Sequence, residues 1–111
     1  MANIYTQRLI LVRGLTLITD VLTVPDGTQA VFTCVNWVTG VNAGQPWASL
    51  VHVASGARFA ASQGAIEGTT DYFNDTIEGR WAFYAGETIA AETDGVSSWD
   101  LLVTGYLLTL P

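Results

Sequence analysis

The chain reads as an all-β protein: an antiparallel β-sandwich of about eight strands, with a jelly roll as one form of it. Three observations predict this. Valine, threonine, isoleucine and aromatic residues fill short runs that Gly, Pro and Asp clusters punctuate. No stretch holds a 3.6-residue apolar period long enough to make a helix. The final run, Trp99-Asp-Leu-Leu-Val-Thr-Gly-Tyr-Leu-Leu-Thr-Leu-Pro111, is apolar on both of its alternating faces.

Taken in order, Tyr5–Val12 is the first predicted strand, and Arg13-Gly14 breaks it from a second at Leu15–Val24. Pro25-Asp26-Gly27 makes a tight turn, because proline pre-sets φ and glycine accepts a positive φ. Gln29–Val38 follows, with Val31, Val35 and Trp37 expected on one face and Phe32 and Cys34 on the other. Thr39–Pro46 is a loop; Trp47–Ala54 and Phe59–Ser62 are strands around the Ser55-Gly56 turn. Gln63–Asp75 is rich in Gly, Thr and acids and shows no pattern. Thr76–Phe83 and Thr88–Thr93 are strands joined at Ala85-Gly86-Glu87, and Asp94–Ser98 leads into the terminal strand. The Pro25–Gly27 and Ala85–Glu87 turns each precede a strand and read as matched corners. No linker divides the chain, so residues 1–111 are expected to form a single domain.

In the terminal strand, Trp99, Leu101, Val103 and Leu107 share one face, and Leu102, Tyr106, Leu108 and Leu110 share the other. A two-layer sandwich ordinarily leaves one strand face polar. The second apolar face therefore predicts a cover, most simply another copy of the same chain, and Leu102, Tyr106, Leu108 and Leu110 are the expected interface.

Composition narrows the function classes. Half of the 111 residues are hydrophobic and 13% are charged, about half the ~25% usual in soluble domains. That suits a folded protein with buried contacts, and no uncharged apolar run suggests a membrane span. The net charge is −6, and the four cationic side chains, Arg8, Arg13, Arg58 and Arg80, are scattered. Nothing there neutralises phosphates, so nucleic-acid binding is not expected. Cys34 is the single cysteine and sits in the apolar run Ala30-Val-Phe-Thr-Cys-Val, where it reads as a small buried hydrophobe. The first eight residues lack the basic start and apolar core of a secretory signal, which points to a cytoplasmic product.

Catalytic chemistry finds little footing. His52 is the only histidine, in Leu50-Val-His-Val, and no Gly-x-Ser-x-Gly elbow accompanies it. A Ser–His–Asp arrangement assembles in space and not in sequence, but a lone strand histidine is ordinarily a surface or interface residue. One histidine and one cysteine do not make a zinc site. Asp71–Asp75 with Glu67 or Glu78 supplies oxygen ligands, but without EF-hand spacing, and reads as solvated loop acids. Six aspartates and four glutamates make a chance carboxylate pair almost inevitable. No Gly-rich phosphate loop is present. No catalytic residue, metal or cofactor is expected. Of the four tryptophans, Trp37 and Trp99 belong to core strands. Trp47 and Trp81, with Tyr72, are the candidates for a platform that stacks a glycan or anchors a partner.

Five segments together carry a resemblance: Ala2-Asn-Ile-Tyr-Thr-Gln-Arg-Leu9, Val24-Pro-x-Gly-Thr-x-Ala-Val31, Gly79-Arg-Trp81, Ala85-Gly-Glu-Thr-Ile89 and Trp99–Leu108. In these turn-and-strand patterns the chain resembles small all-β virion proteins of tailed bacteriophages, of the head-decoration and minor-tail type. Thr39–Asp75 matches no part of that pattern. The resemblance implies a virion component made in the bacterial host's cytoplasm, assembled as a homo-oligomer (a trimer, for instance) and in contact with other capsid or tail proteins. It implies no catalytic residues. The alternative expectation is a carbohydrate-binding module that contributes to host-surface attachment.

Overall fold

The computed structural model describes residues 7–15, 17–40, 47–62, 72–95 and 99–110, with the side chains of 7, 8, 40, 72 and 73 outside that description. The strands are β1 (Gln7–Leu15), β2 (Ile18–Thr23), β3 (Thr28–Gly40), β4 (Ala48–His52), β5 (Ala57–Ser62), β6 (Tyr72–Tyr84), β7 (Thr88–Thr93) and β8 (Trp99–Thr109). They form two antiparallel four-stranded sheets, ordered β1-β8-β3-β6 and β2-β7-β4-β5. The pairs β1·β8, β2·β7, β3·β6 and β4·β5 nest within one another as one long hairpin folded over itself. That is the connectivity of a jelly roll. The all-β sandwich expected from the sequence is the fold observed.

The core lies between the sheets. Trp37, Trp99, Phe32, Leu50, Ile89, Leu101, Val35 and Val103 are its largest fully buried apolar side chains, together with Val24 at the β2–β3 turn. Fully burying one such side chain contributes about 1.5–3 kcal/mol relative to exposure. Trp37 and Trp99 meet edge to face at 5.9 Å, and the Trp37 indole N–H donates to the Ala60 carbonyl at 2.8 Å. That bond holds β5 where Ala60 takes a φ of +50°.

The matched corners are in direct contact. Val24 N–H donates to the Glu87 carbonyl at 2.9 Å, and Gly86 N–H donates to the Val24 carbonyl at the same distance. The turns that end β2 and β6 are thus stitched together, as nested pairing requires.

Three local readings of the sequence are corrected. Arg13-Gly14 does not end the first strand: Gly14, at φ +69°, sits in a bulge within β1, where the register shifts between Val12 and Leu15. The chain reverses instead around Leu17, at φ +58°. In β3, a second register shift between Phe32 and Cys34 changes which residues face inward. Ala30 and Phe32 belong to the core before it, and Val35 and Trp37 after it, while Val31 is buried but outside the core cluster. Val31 and Val35 therefore lie on opposite faces, because one extra residue reverses a period-2 pattern. Finally, β6 begins at Tyr72, so the end of the patternless Gln63–Asp75 segment is strand. Residues 63–71 lie outside the described structure, as does Pro111.

Candidate functional site

Among the described residues, the seam between β5 and β6 and the outer face of the β1-β8-β3-β6 sheet each line a surface hollow. The strands β5 and β6 are edge strands of opposite sheets. Between them opens a cleft of about 480 Å³, lined by His52, Ser55, Phe59, Trp81, Phe83 and Glu87 among others.

Its apolar wall is a run of rings. Phe59 lies 5.2 Å from Phe83 and 5.8 Å from Trp81, and Phe83 lies 5.1 Å from the core ring of Phe32. The Trp81 indole leans back over Gly79, so that a Cβ on Gly79 would stand 2.6 Å from the ring. Glycine at that position is what lets the indole lie against its own strand.

The polar wall comes from two turns. His52 ends β4 on the core side, its ring stacked on Phe83 at 6.0 Å and 17°. Val53 N–H donates to the Thr88 carbonyl at 3.0 Å, which ties the end of β4 to the start of β7. Glu87 is thereby brought to His52, with Nε2 and Oε2 3.2 Å apart. On its other side, His52 Nδ1 shares a hydrogen bond with Ser55 Oγ at 2.6 Å. Ser, His and Glu thus form a line, the order of a nucleophile relay. The amides around it are spent elsewhere: Gly56 N–H donates to the His52 carbonyl and Ala57 N–H donates to Ser55 Oγ. An oxyanion site needs amides aimed at the developing charge, and these two are turned to the hairpin. The line fixes ring orientation and presents polar atoms at the cleft mouth. Arg80 also lines the cleft, and its guanidinium donates to the Tyr106 hydroxyl at 2.8 Å. Among the described residues no group of three or more His, Cys, Asp or Glu side chains is arranged to hold a metal ion, and no helix is long and apolar enough to cross a membrane.

The outer face of the β1-β8-β3-β6 sheet holds Leu102, Tyr106 and Leu108, all partly buried, while Leu101 and Val103 point into the core. Leu110 follows the strand, 43% exposed, with its N–H donating to the Gly27 carbonyl at 2.8 Å. The Arg80–Tyr106 bond runs across β3 over Val31, which is registered between Tyr106 and Ala82. Beyond it, Leu102 lies opposite Leu11. These two, with Val38, Arg13 and Asp100, line a hollow of about 180 Å³ around Asn36. The Asn36 Oδ1 atom is buried and has no hydrogen-bond partner among the described residues.

No family model and no curated protein matches the chain.

Of the platform residues whose side chains are described, Trp81 and not Trp47 lines the cleft. Trp47 lies at the start of β4 with the Arg58 guanidinium 5.7 Å over its ring, and Arg58 also pairs with Glu92 at 3.0 Å. Its exposed face is covered by this chain's own cation. The backbone of Tyr72 opens β6, and its side chain lies outside the described residues. Sequence reading missed Glu87, Ser55 and Phe59 as cleft residues. The Ala85-Gly86-Glu87 corner was the available signal, since a corner matched to Pro25–Gly27 had to come close to the end of β4.

Proposed function

We propose that the protein is a non-enzymatic structural subunit of a tailed-bacteriophage virion, exposed on the particle as capsid decoration or a tail accessory, which assembles with copies of itself. The interface is the outer face of β1-β8-β3-β6. The observation that carries this reading is the apolar hollow that Leu11, Val38 and Leu102 line on the outer face of the sheet. Apolar neighbours along β8 extend the same surface. A closed symmetric assembly lets one such face bury its own copy. The resemblance of the turn and strand segments to phage virion proteins supplies the setting.

The test is oligomeric state by size exclusion with light scattering at micromolar concentration. The expected result is a discrete homo-oligomer that Leu102→Asp and Leu108→Asp each convert to a folded monomer. A monomeric parent protein, or an oligomer indifferent to both substitutions, overturns the self-assembly. Immunogold labelling of intact particles tests the virion assignment.

A further inference from the structure

We propose that the cleft between β5 and β6 binds a neutral saccharide, at a site separate from the assembly face. Three features of the cleft select that ligand class. The volume, about 480 Å³, lies in the range of small-molecule sites and takes one or two pyranose rings. The wall is aromatic, with Trp81, Phe59 and Phe83 in mutual contact, and rings of this kind pack against the C–H faces of a pyranose. At the mouth, the Glu87 carboxylate, the His52 imidazole and the Ser55 hydroxyl stand in a hydrogen-bonded row. A row of acceptors and donors held in place by one another matches the adjacent hydroxyls of a sugar, and its rigidity lowers the ordering cost of binding.

The electrostatics set the charge of the ligand. The cleft's one carboxylate is Glu87, its nearest guanidinium is committed to Tyr106, and the chain as a whole carries −6. An anionic sugar or a phosphate meets one guanidinium already turned to Tyr106, a carboxylate at the mouth and a net negative chain. A lipid tail is equally ill served, because the cavity opens along one side beside a polar row. A neutral polyol with one apolar face is the remaining fit. The site draws on Trp81, which the sequence had offered as a platform, and does without Trp47, whose ring lies under Arg58. It does not depend on the assembly reading.

The test uses the full chain, with intrinsic tryptophan fluorescence and two-dimensional NMR. The probes are neutral hexasaccharides of glucose, galactose, mannose and N-acetylglucosamine, with sialyllactose as the acidic comparison. The expected result is saturable binding of at least one neutral probe with a Kd in the range of about 0.1–10 mM, with shifts centred on His52, Glu87 and Trp81. Glu87→Gln preserves volume and should weaken that binding about tenfold or more, as the loss of a charge-assisted hydrogen bond predicts. Trp81→Ala should abolish it, and Leu108→Asp should leave it unchanged. If Trp81→Ala does not fold, Glu87→Gln and the location of the shifts decide the matter. Absence of binding to every neutral probe, binding of sialyllactose alone, or binding that Glu87→Gln leaves intact with shifts elsewhere would overturn the proposal.

Discussion

A Cβ built on Gly105 would collide with the carbonyl oxygen of Val31. The approach occurs where β3 carries its extra residue, with Phe32 registered to Gly105 and Cys34 to Thr104. The obstacle is backbone on a central strand and cannot swing aside. Gly105→Ala should therefore cost about 3 kcal/mol or more, read as a fall in the denaturant midpoint at unchanged slope. Gly56→Ala is the comparison. A Cβ there meets nothing, and the cost is that of φ +73° alone, about 1–2 kcal/mol. Equal costs for the two would contradict a steric role for Gly105.

Gly79 makes the opposite kind of contact. The atoms nearest its added Cβ belong to the Trp81 ring, a side chain at the cleft margin. Gly79→Ala should displace the indole, shift tryptophan emission and cost less than Gly105→Ala, about 1–2 kcal/mol. Unchanged emission would mean that the indole does not rest on Gly79.

The two core tryptophans separate a satisfied from an unsatisfied donor. Trp37 Nε1 donates to Ala60, whereas Trp99 Nε1 is buried without a partner among the described residues. Both substitutions to Phe remove similar volume from fully buried sites. Trp37→Phe also takes the indole donor from the Ala60 carbonyl, whereas Trp99→Phe removes a donor that has no partner among the described residues. Trp37→Phe should be the more destabilising by about 1–3 kcal/mol in urea unfolding. The reverse order would place the decisive strain elsewhere.

What the sequence disclosed follows from which signals are local. Strand number, the Pro25–Gly27 and Ala85–Glu87 corners and the core face of β8 rest on alternation and turn chemistry, and these survive in the structure. The phase of β3 did not, because the bulge after Phe32 is set by two neighbouring strands and leaves no residue-type mark. The cleft was half legible. Trp81 stood out by type, but Glu87 and Ser55 gain meaning only once β4 and β7 are paired and His52 lies between them. An acid in a Gly turn is ordinary until the fold brings an imidazole to it.

Alternation along β8 yields a direct comparison of neighbours. Leu101 is fully buried in the core cluster, and Leu102 lies on the outer face opposite Leu11. Leu101→Ala should cost about 2–5 kcal/mol, the usual range for a buried leucine with its residual cavity. Leu102→Ala should cost under about 1 kcal/mol when unfolding is measured at nanomolar concentration, where the subunits are apart. At micromolar concentration its cost should rise, because stability gained by association scales with subunit concentration. Leu101→Ala should show no such dependence beyond that of the parent chain. A concentration-independent cost at Leu102 would make the outer face of β8 a surface of the isolated subunit and remove the physical basis for assembly through it.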